Sequence, residues 1–196
     1  MLIQIHDLIP QTRAEGPGLR FCIQVQGCSI RCKGCALPQT WSPHEGKTMR
    51  TRDLIKYILE TPDIQGITLL GGEPFEQAEA LSEIAEQVKA HGLSVVTFSG
   101  YSFKKLKDSK KKHDQRLLQT TDLLISGPFQ QNQMDLTRPW IGSRNQEFHF
   151  LTDRYSELSS TLASLPNRLE IRIKEDGSIF INGMATIEQL NSLIKT

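Results

Sequence analysis

The sequence predicts an α/β fold built on a mostly parallel sheet. Three observations carry this: strand-like and helix-like stretches alternate, each strand is separated from the next by a helix-length connection, and the unusual residues fall directly after strands. Parallel neighbours need such crossovers, which wind right-handedly into an open sheet or a partial barrel. At 196 residues the chain suits one well-buried domain. We read a core over residues 1–165 and a hairpin-and-helix extension of the same domain over residues 166–196.

"LRFCIQVQ" (Leu19 to Gln26) puts Phe21, Ile23 and Val25 on one face, as the two-residue period of a strand requires. "TRDLIKYILE" has Thr51 as a candidate N-cap and apolar Leu54, Ile55, Ile58 and Leu59, which predicts a helix. "GITLL" (Gly66 to Leu70) predicts a short buried strand. The next segment sets Ala78, Leu81, Ile84, Ala85 and Val88 on one helical stripe and stops at Gly92, a C′ glycine. "LSVVTF" (Leu93 to Phe98) and "DLLIS" (Asp122 to Ser126) are further strands with a charged helix expected between them, and "FHFL" (Phe148 to Leu151) is a candidate strand. In the tail, "RLEIRIK" and "SIFIN" flank "EDG", which is hairpin chemistry, and Thr186 with Gln189 forms a capping box for a last helix.

A net charge of +1 gives no bulk electrostatic case for nucleic acid or an anionic membrane, and no apolar run is long enough to span a bilayer. The basic run Lys104 to Arg116 is read as a solvated helix face. "MLIQIHDLIPQ" lacks the basic start and small-residue cleavage site of a signal peptide, so a cytoplasmic protein is expected. In a reducing compartment, closely spaced thiols bind metal or react rather than pair.

Three of the four cysteines stand in "GCSIRCKGC", Gly27 to Cys35. The spacing C-x3-C-x2-C also fits a helical stripe, but Gly27, Gly34 and Pro38 with the interleaved Arg31 and Lys33 favour a loop. A zinc site completed by His44 is one alternative, although structural zinc draws its ligands from two knuckles. A disulfide would leave an odd thiol. A cluster of iron and sulfide is the other: a 4Fe–4S cube takes four thiolates, so three would leave one iron open, while Cys22, inside a strand, reads as a small core residue. The cysteine loop, "GGEP" (Gly71 to Pro74), "SGY" (Ser99 to Tyr101) and "GPF" (Gly127 to Phe129) all follow strands, and strand C-terminal ends line the edge where α/β folds bind ligands.

C-x3-C-x2-C followed one strand later by G-G-E-P resembles the radical S-adenosylmethionine (SAM) superfamily. "EGPGLRFCIQVQGC", "GCALPQTW", "LLGGEPFEQ", "SGY", "LLISGPF" and "GSRNQEF" are similar, in order, to the activating proteins of anaerobic ribonucleotide reductases and related glycyl-radical-enzyme activases. Leu37 and Ser126 stand where those activators often carry Asn and Asp.

The resemblance implies a partial (β/α) barrel in which Cys28, Cys32 and Cys35 ligate a 4Fe–4S cluster and the open iron is chelated by SAM. It implies an oxidoreductase that cleaves SAM reductively to a 5′-deoxyadenosyl radical, which generates a glycyl radical on a partner such as anaerobic ribonucleotide reductase. Gly71, Gly72, Glu73 and Pro74 would bind SAM, Glu73 through the ammonium, and Ser99 and Tyr101 would line the adenosyl pocket. Flavodoxin or ferredoxin would be the reductant; Arg31 and Lys33 are read first as plain solvent-exposed charges and second as its docking site. Alternatives are a radical SAM enzyme modifying a peptide or small molecule, and a non-enzymatic iron–sulfur or zinc module.

Overall fold

The computed structural model describes residues 1–173, 176–177 and 179–194. Among the described residues nine strands and six α-helices follow in order: β1 (Leu2–Thr12), β2 (Arg20–Val25), β3 (Lys47–Arg50), α1 (Thr51–Glu60), β4 (Gly66–Gly71), α2 (Ala78–Ala90), β5 (Ser94–Ser99), α3 (Phe103–Lys107), α4 (Lys112–Thr120), β6 (Leu123–Ser126), β7 (Glu147–Phe150), α5 (Ser156–Thr161), β8 (Leu169–Ile173), β9 (Ile179–Gly183) and α6 (Ile187–Ile194). Seven strands form one sheet in the order β3-β1-β2-β4-β5-β6-β7.

The α/β expectation is met. At the sheet's centre β2, β4, β5 and β6 run parallel, joined by crossovers that carry α1, α2 and the pair α3 and α4. β1 flanks them antiparallel to both β2 and β3, and β7 closes the far side antiparallel to β6. The edge strands β3 and β7 stand at opposite ends of the order, so the sheet is open, as a partial (β/α) barrel requires.

Period-two alternation divides the central strands between two faces. Phe21, Ile23, Ile67, Leu69, Val95 and Leu124 pack with Leu54 and Ile58 of α1, Leu81, Ile84 and Val88 of α2, and Leu117 of α4. Fully burying such a side chain is worth about 1.5–3 kcal/mol, so this layer carries most of the fold. On the other face Val96, Leu123 and Ile125 meet Ile141, with Phe98, Trp140, Phe148, Phe150 and Tyr155 packed against them. Cys22 also lies on that inner face, fully buried, beside its register partner Thr68.

Some local readings shift. Thr51 is the first helical residue rather than the cap; Arg50 is the N-cap, and Thr51 Oγ1 accepts from the Met1 nitrogen at 2.9 Å. The charged helix after β5 is two short helices separated by residues 108–111. Gly92 does end α2, with a φ of +79° that suits glycine. Glu175 of the "EDG" turn and the Gln189 side chain of the capping box lie outside the described residues.

β8 and β9 form a separate two-stranded sheet. Its inner side is held to the loop after β1: Glu170 accepts from Thr12 Oγ1 at 2.7 Å and from the Arg13 amide at 2.6 Å, and Asn182 donates to Thr12 Oγ1 at 2.9 Å. Ile171 pairs with Ile181 and Ile173 with Ile179 on the exposed side. Glu15 lies in the docked seam, where burial and the charge of Glu170 push its carboxyl up to about 7 against a hydrogen bond from the Gly183 amide.

Candidate active site

The C-terminal ends of β2, β4, β5 and β6 share one edge, and their loops are stitched together by backbone. The Gly72 amide donates to the Val25 carbonyl at 2.7 Å, and the Glu73 amide donates to the Gly27 carbonyl at 2.8 Å. A Cβ on Gly72 would stand 2.2 Å from the Gly27 oxygen. The glycine is therefore required where "GGEP" meets the start of the cysteine loop, and the close approach is to backbone. Beyond Gly27 the loop is fixed by Gly27 N to Thr40 O at 2.8 Å and Cys28 N to Trp41 O at 3.1 Å.

Glu73 unites two motifs. Its carboxylate caps the 3-10 turn Pro74–Gln77 by accepting from the Phe75 amide at 3.0 Å, with Pro74 buried at the turn's first position. The same group accepts from Ser99 Oγ at 2.9 Å and from the Gly100 amide at 2.8 Å. Ser99 Oγ in turn accepts from the Tyr101 amide at 3.1 Å. With the side chain only 1% exposed, burial raises the Glu73 carboxyl to about 7 in spite of these donors. A cation placed against Oε2, which takes only the Gly100 amide, would relieve that cost.

All four cysteines are free, and Cys28, Cys32 and Cys35 are half-buried in the loop after β2. Each thiol faces backbone amides: Cys28 those of Ile30 and Arg31, Cys32 that of Phe129 in "GPF", and Cys35 that of Leu37 at 3.4 Å. Burial nevertheless holds the Cys28 and Cys32 thiols above their usual pKa. Among the described residues no three His, Cys, Asp or Glu side chains surround a point that would hold one metal ion. An iron–sulfur cube instead offers a separate iron to each thiolate, and amide donors to sulfur tune its potential. Three partly exposed thiols, each with its amide donor, fit such a cluster, while Cys22 is buried mid-strand and burial drives its thiol pKa well up.

Near β6, Ser126 Oγ meets His149 Nε2 at 2.9 Å, and the His149 ring stacks on Phe103, so a histidine partner stands beside Ser126. Asn145 donates to the Pro128 carbonyl at 2.7 Å, while its Oδ1 is buried with no hydrogen-bond partner. An orphaned acceptor at this edge fits a site built for a polar cofactor. Beside Cys32 a cleft of about 530 Å³ is lined by Lys33, Phe129, Gln130, Gln131 and Asn132.

Sequence reasoning missed Glu76 and Ser29. Glu76 Oε1 accepts from the Ser29 amide at 2.9 Å, from the Ser29 hydroxyl, and from the Tyr101 hydroxyl at 3.1 Å. Tyr101 is thus engaged by the cysteine loop, and Lys105 lies over its ring at 3.7 Å from the centroid. Glu76 stands in "LLGGEPFEQ", but an acid three residues after Glu73 reads as an ordinary helix start.

Residues 14–149 match the family described as 4Fe-4S single cluster domain. The chain belongs to that family. An anaerobic ribonucleoside-triphosphate reductase-activating protein of Vibrio cholerae is 33% identical over 155 residues, covering 75% of this chain and 97% of that protein. The protein of the same description from Enterobacteria phage T4 is 31% identical over 152 residues, 74% of this chain and 93% of its own length. A pyruvate formate-lyase-activating enzyme of Listeria monocytogenes is 30% identical over 131 residues, 64% of this chain and 52% of that enzyme. As a member of the 4Fe-4S single cluster domain family with these relatives, this chain is a radical SAM enzyme of the glycyl-radical-activase type, and its cofactors are a 4Fe–4S cluster and SAM. Among the described residues no helix is long and apolar enough to cross a membrane.

Proposed function

We propose that the chain generates a glycyl radical on a partner enzyme such as anaerobic ribonucleotide reductase. When bound, the cofactors supply one-electron cleavage of the SAM sulfonium C–S bond, giving methionine and a 5′-deoxyadenosyl radical that takes a hydrogen atom from the partner's glycine Cα.

Cys28, Cys32 and Cys35 hold three irons of the cluster. Glu73 accepts the SAM ammonium at its Oε2, where a positive charge offsets the burial that raises its carboxyl to about 7. Gly71 and Gly72 keep the "GGEP" backbone against Val25 and Gly27, Pro74 fixes the turn, and Ser99 and Gly100 hold the carboxylate in place. Tyr101 and the cleft beside Cys32 border the same edge. Arg31 and Lys33 are exposed on the cysteine loop and suit an acidic reductant of the flavodoxin or ferredoxin class.

The observation that carries this reading is the fastening of three strand-end loops through one residue, Glu73, whose amide reaches Gly27 and whose carboxylate reaches Ser99 and Gly100. Prearranging separate loops offsets the entropy of bringing electron donor and acceptor together. The test is anaerobic: the reconstituted, reduced chain is mixed with SAM and a partner carrying α-deuterated glycine. Deuterium should appear in 5′-deoxyadenosine; formation of 5′-deoxyadenosine without label would remove the glycyl target, and no cleavage at all would remove the radical reading.

A further inference from the structure

Glu76 lies inside "LLGGEPFEQ" without a role of its own there and is solvent-exposed, yet one of its oxygens gathers donors from two loops. From the cysteine loop come the Ser29 amide at 2.9 Å and the Ser29 hydroxyl; from the loop after β5 comes the Tyr101 hydroxyl at 3.1 Å. The two hydroxyls are themselves 3.4 Å apart. An isolated exposed ion pair contributes little because water competes for both partners. Here one donor is a backbone amide, and a carboxylate that accepts several donors in fixed geometry holds them more firmly than water does.

Ser29 immediately follows Cys28, so whatever fixes its amide fixes the exit of the chain from the first thiol. The carboxylate also places a negative charge against the peptide that joins Cys28 to Ser29, one residue from the first thiol. A negative charge beside a cluster disfavours an added electron there, and local charge is one of the factors that set its reduction potential. On its far side the network runs through the Tyr101 ring to Lys105, whose ammonium lies over the ring.

We infer that Glu76 is a positioning residue for the cluster: it clamps the Ser29 peptide beside Cys28, and its negative charge holds the cluster's reduction potential down. The inference rests on Cys28, Cys32 and Cys35 being the cluster ligands.

Glu76→Gln separates the two parts, because the amide oxygen still accepts hydrogen bonds while the charge is gone. Glu76→Ala removes both, and Glu76→Asp restores the charge on a shorter arm. Each protein is reconstituted anaerobically with iron and sulfide, analysed for both, and titrated potentiometrically with the reduced cluster followed by electron paramagnetic resonance. Glu76→Gln should keep the parent's iron and sulfide but show a more positive midpoint, and Glu76→Asp should return towards the parent value. Glu76→Ala should shift at least as far and lose iron to a chelator severalfold faster. A Glu76→Gln midpoint equal to the parent's overturns the electrostatic part, and unchanged iron loss in Glu76→Ala overturns the clamp. A parent chain that binds no iron overturns the ligand assignment instead, and that result is seen before any variant is compared.

Discussion

Arg20 donates a hydrogen bond from Nη1 to the Tyr155 hydroxyl at 2.9 Å, across 135 residues of chain. The contact lies at the N-terminal ends of the parallel strands, opposite the edge that carries the cysteines. Arg20 is fully buried, and its other donors go to neutral oxygens: Nε to Thr68 Oγ1 at 2.8 Å, Nη1 to Pro17 O at 3.0 Å and Ser94 Oγ at 3.1 Å, and Nη2 to Ser94 O at 3.2 Å and Ile67 O. Burial lowers the guanidinium pKa, and the ring of oxygens replaces the water it has lost. Three strands and the turn Asp153–Tyr155 thus share one bolt.

Arg20→Met should therefore destabilise the chain by several kcal/mol, because each buried acceptor left unpaired costs about 1–3 kcal/mol. Tyr155→Phe should cost less, about 1–3 kcal/mol, since it removes one hydroxyl that accepts from Arg20 and donates to Ser94. Denaturant unfolding of the single and double variants checks this. Strictly additive costs would show that the two side chains do not act together.

Glu15 gives a pH dependence. Its folded carboxyl, at about 7, lies above the ordinary 4.5, so between those values the native state binds more protons than the unfolded one. Stability from this group is greatest in acid, declines as pH rises through that window, and is lowest above pH 7. At 1.36 kcal/mol per pKa unit the change is on the order of 3 kcal/mol before solvent screening reduces it. Glu15→Gln should flatten the decline and leave the variant more stable than the parent at pH 8. Parallel curves for the two proteins would refute this role.

Gly72→Ala brings a methyl group within 2.2 Å of the Gly27 oxygen, and because that neighbour is backbone the strand ends themselves must separate. A stability cost of about 1–3 kcal/mol is expected. Iron bound per chain after reconstitution should fall as well, because the displaced Gly27 leads directly into Cys28. Full iron content in this variant would mean that the cysteine loop tolerates the shift.

Cys32→Ala should abolish both the brown colour of the reconstituted protein and SAM cleavage, whereas Cys22→Ala should keep both. Absorbance, iron and sulfide content, and 5′-deoxyadenosine yield read the contrast. Retained turnover in Cys32→Ala would end the ligand assignment for that thiol.

The four central strands were legible because buried strands and amphipathic helices leave different periods, and all four lie in the parallel centre. β1 was not, for a physical reason. Its buried positions Ile3, Ile5, Ile9 and Thr12 are unevenly spaced, since register shifts between Ile5 and Asp7 and between Ile9 and Thr12 break the alternation. β7 was readable as a strand but not in direction, because the connection from β6 contains only a 3-10 turn and no crossover helix. Among site residues, Glu73 and the cysteines announced themselves by spacing. Ser29 and Glu76 act through contacts between loops, and nothing in a linear sequence marks which loops will touch.

The stitch between Gly72, Glu73 and Gly27 bears on how this site tolerates sequence drift. Its hydrogen bonds are made by amides and carbonyls that every residue type except proline supplies. Side chains around the edge are therefore free to change with the partner or reductant while the loops keep their places. What the stitch forbids is bulk at Gly72 and proline at the donating positions Gly72 and Glu73, so variation should be permissive around the rim and closed at its seam.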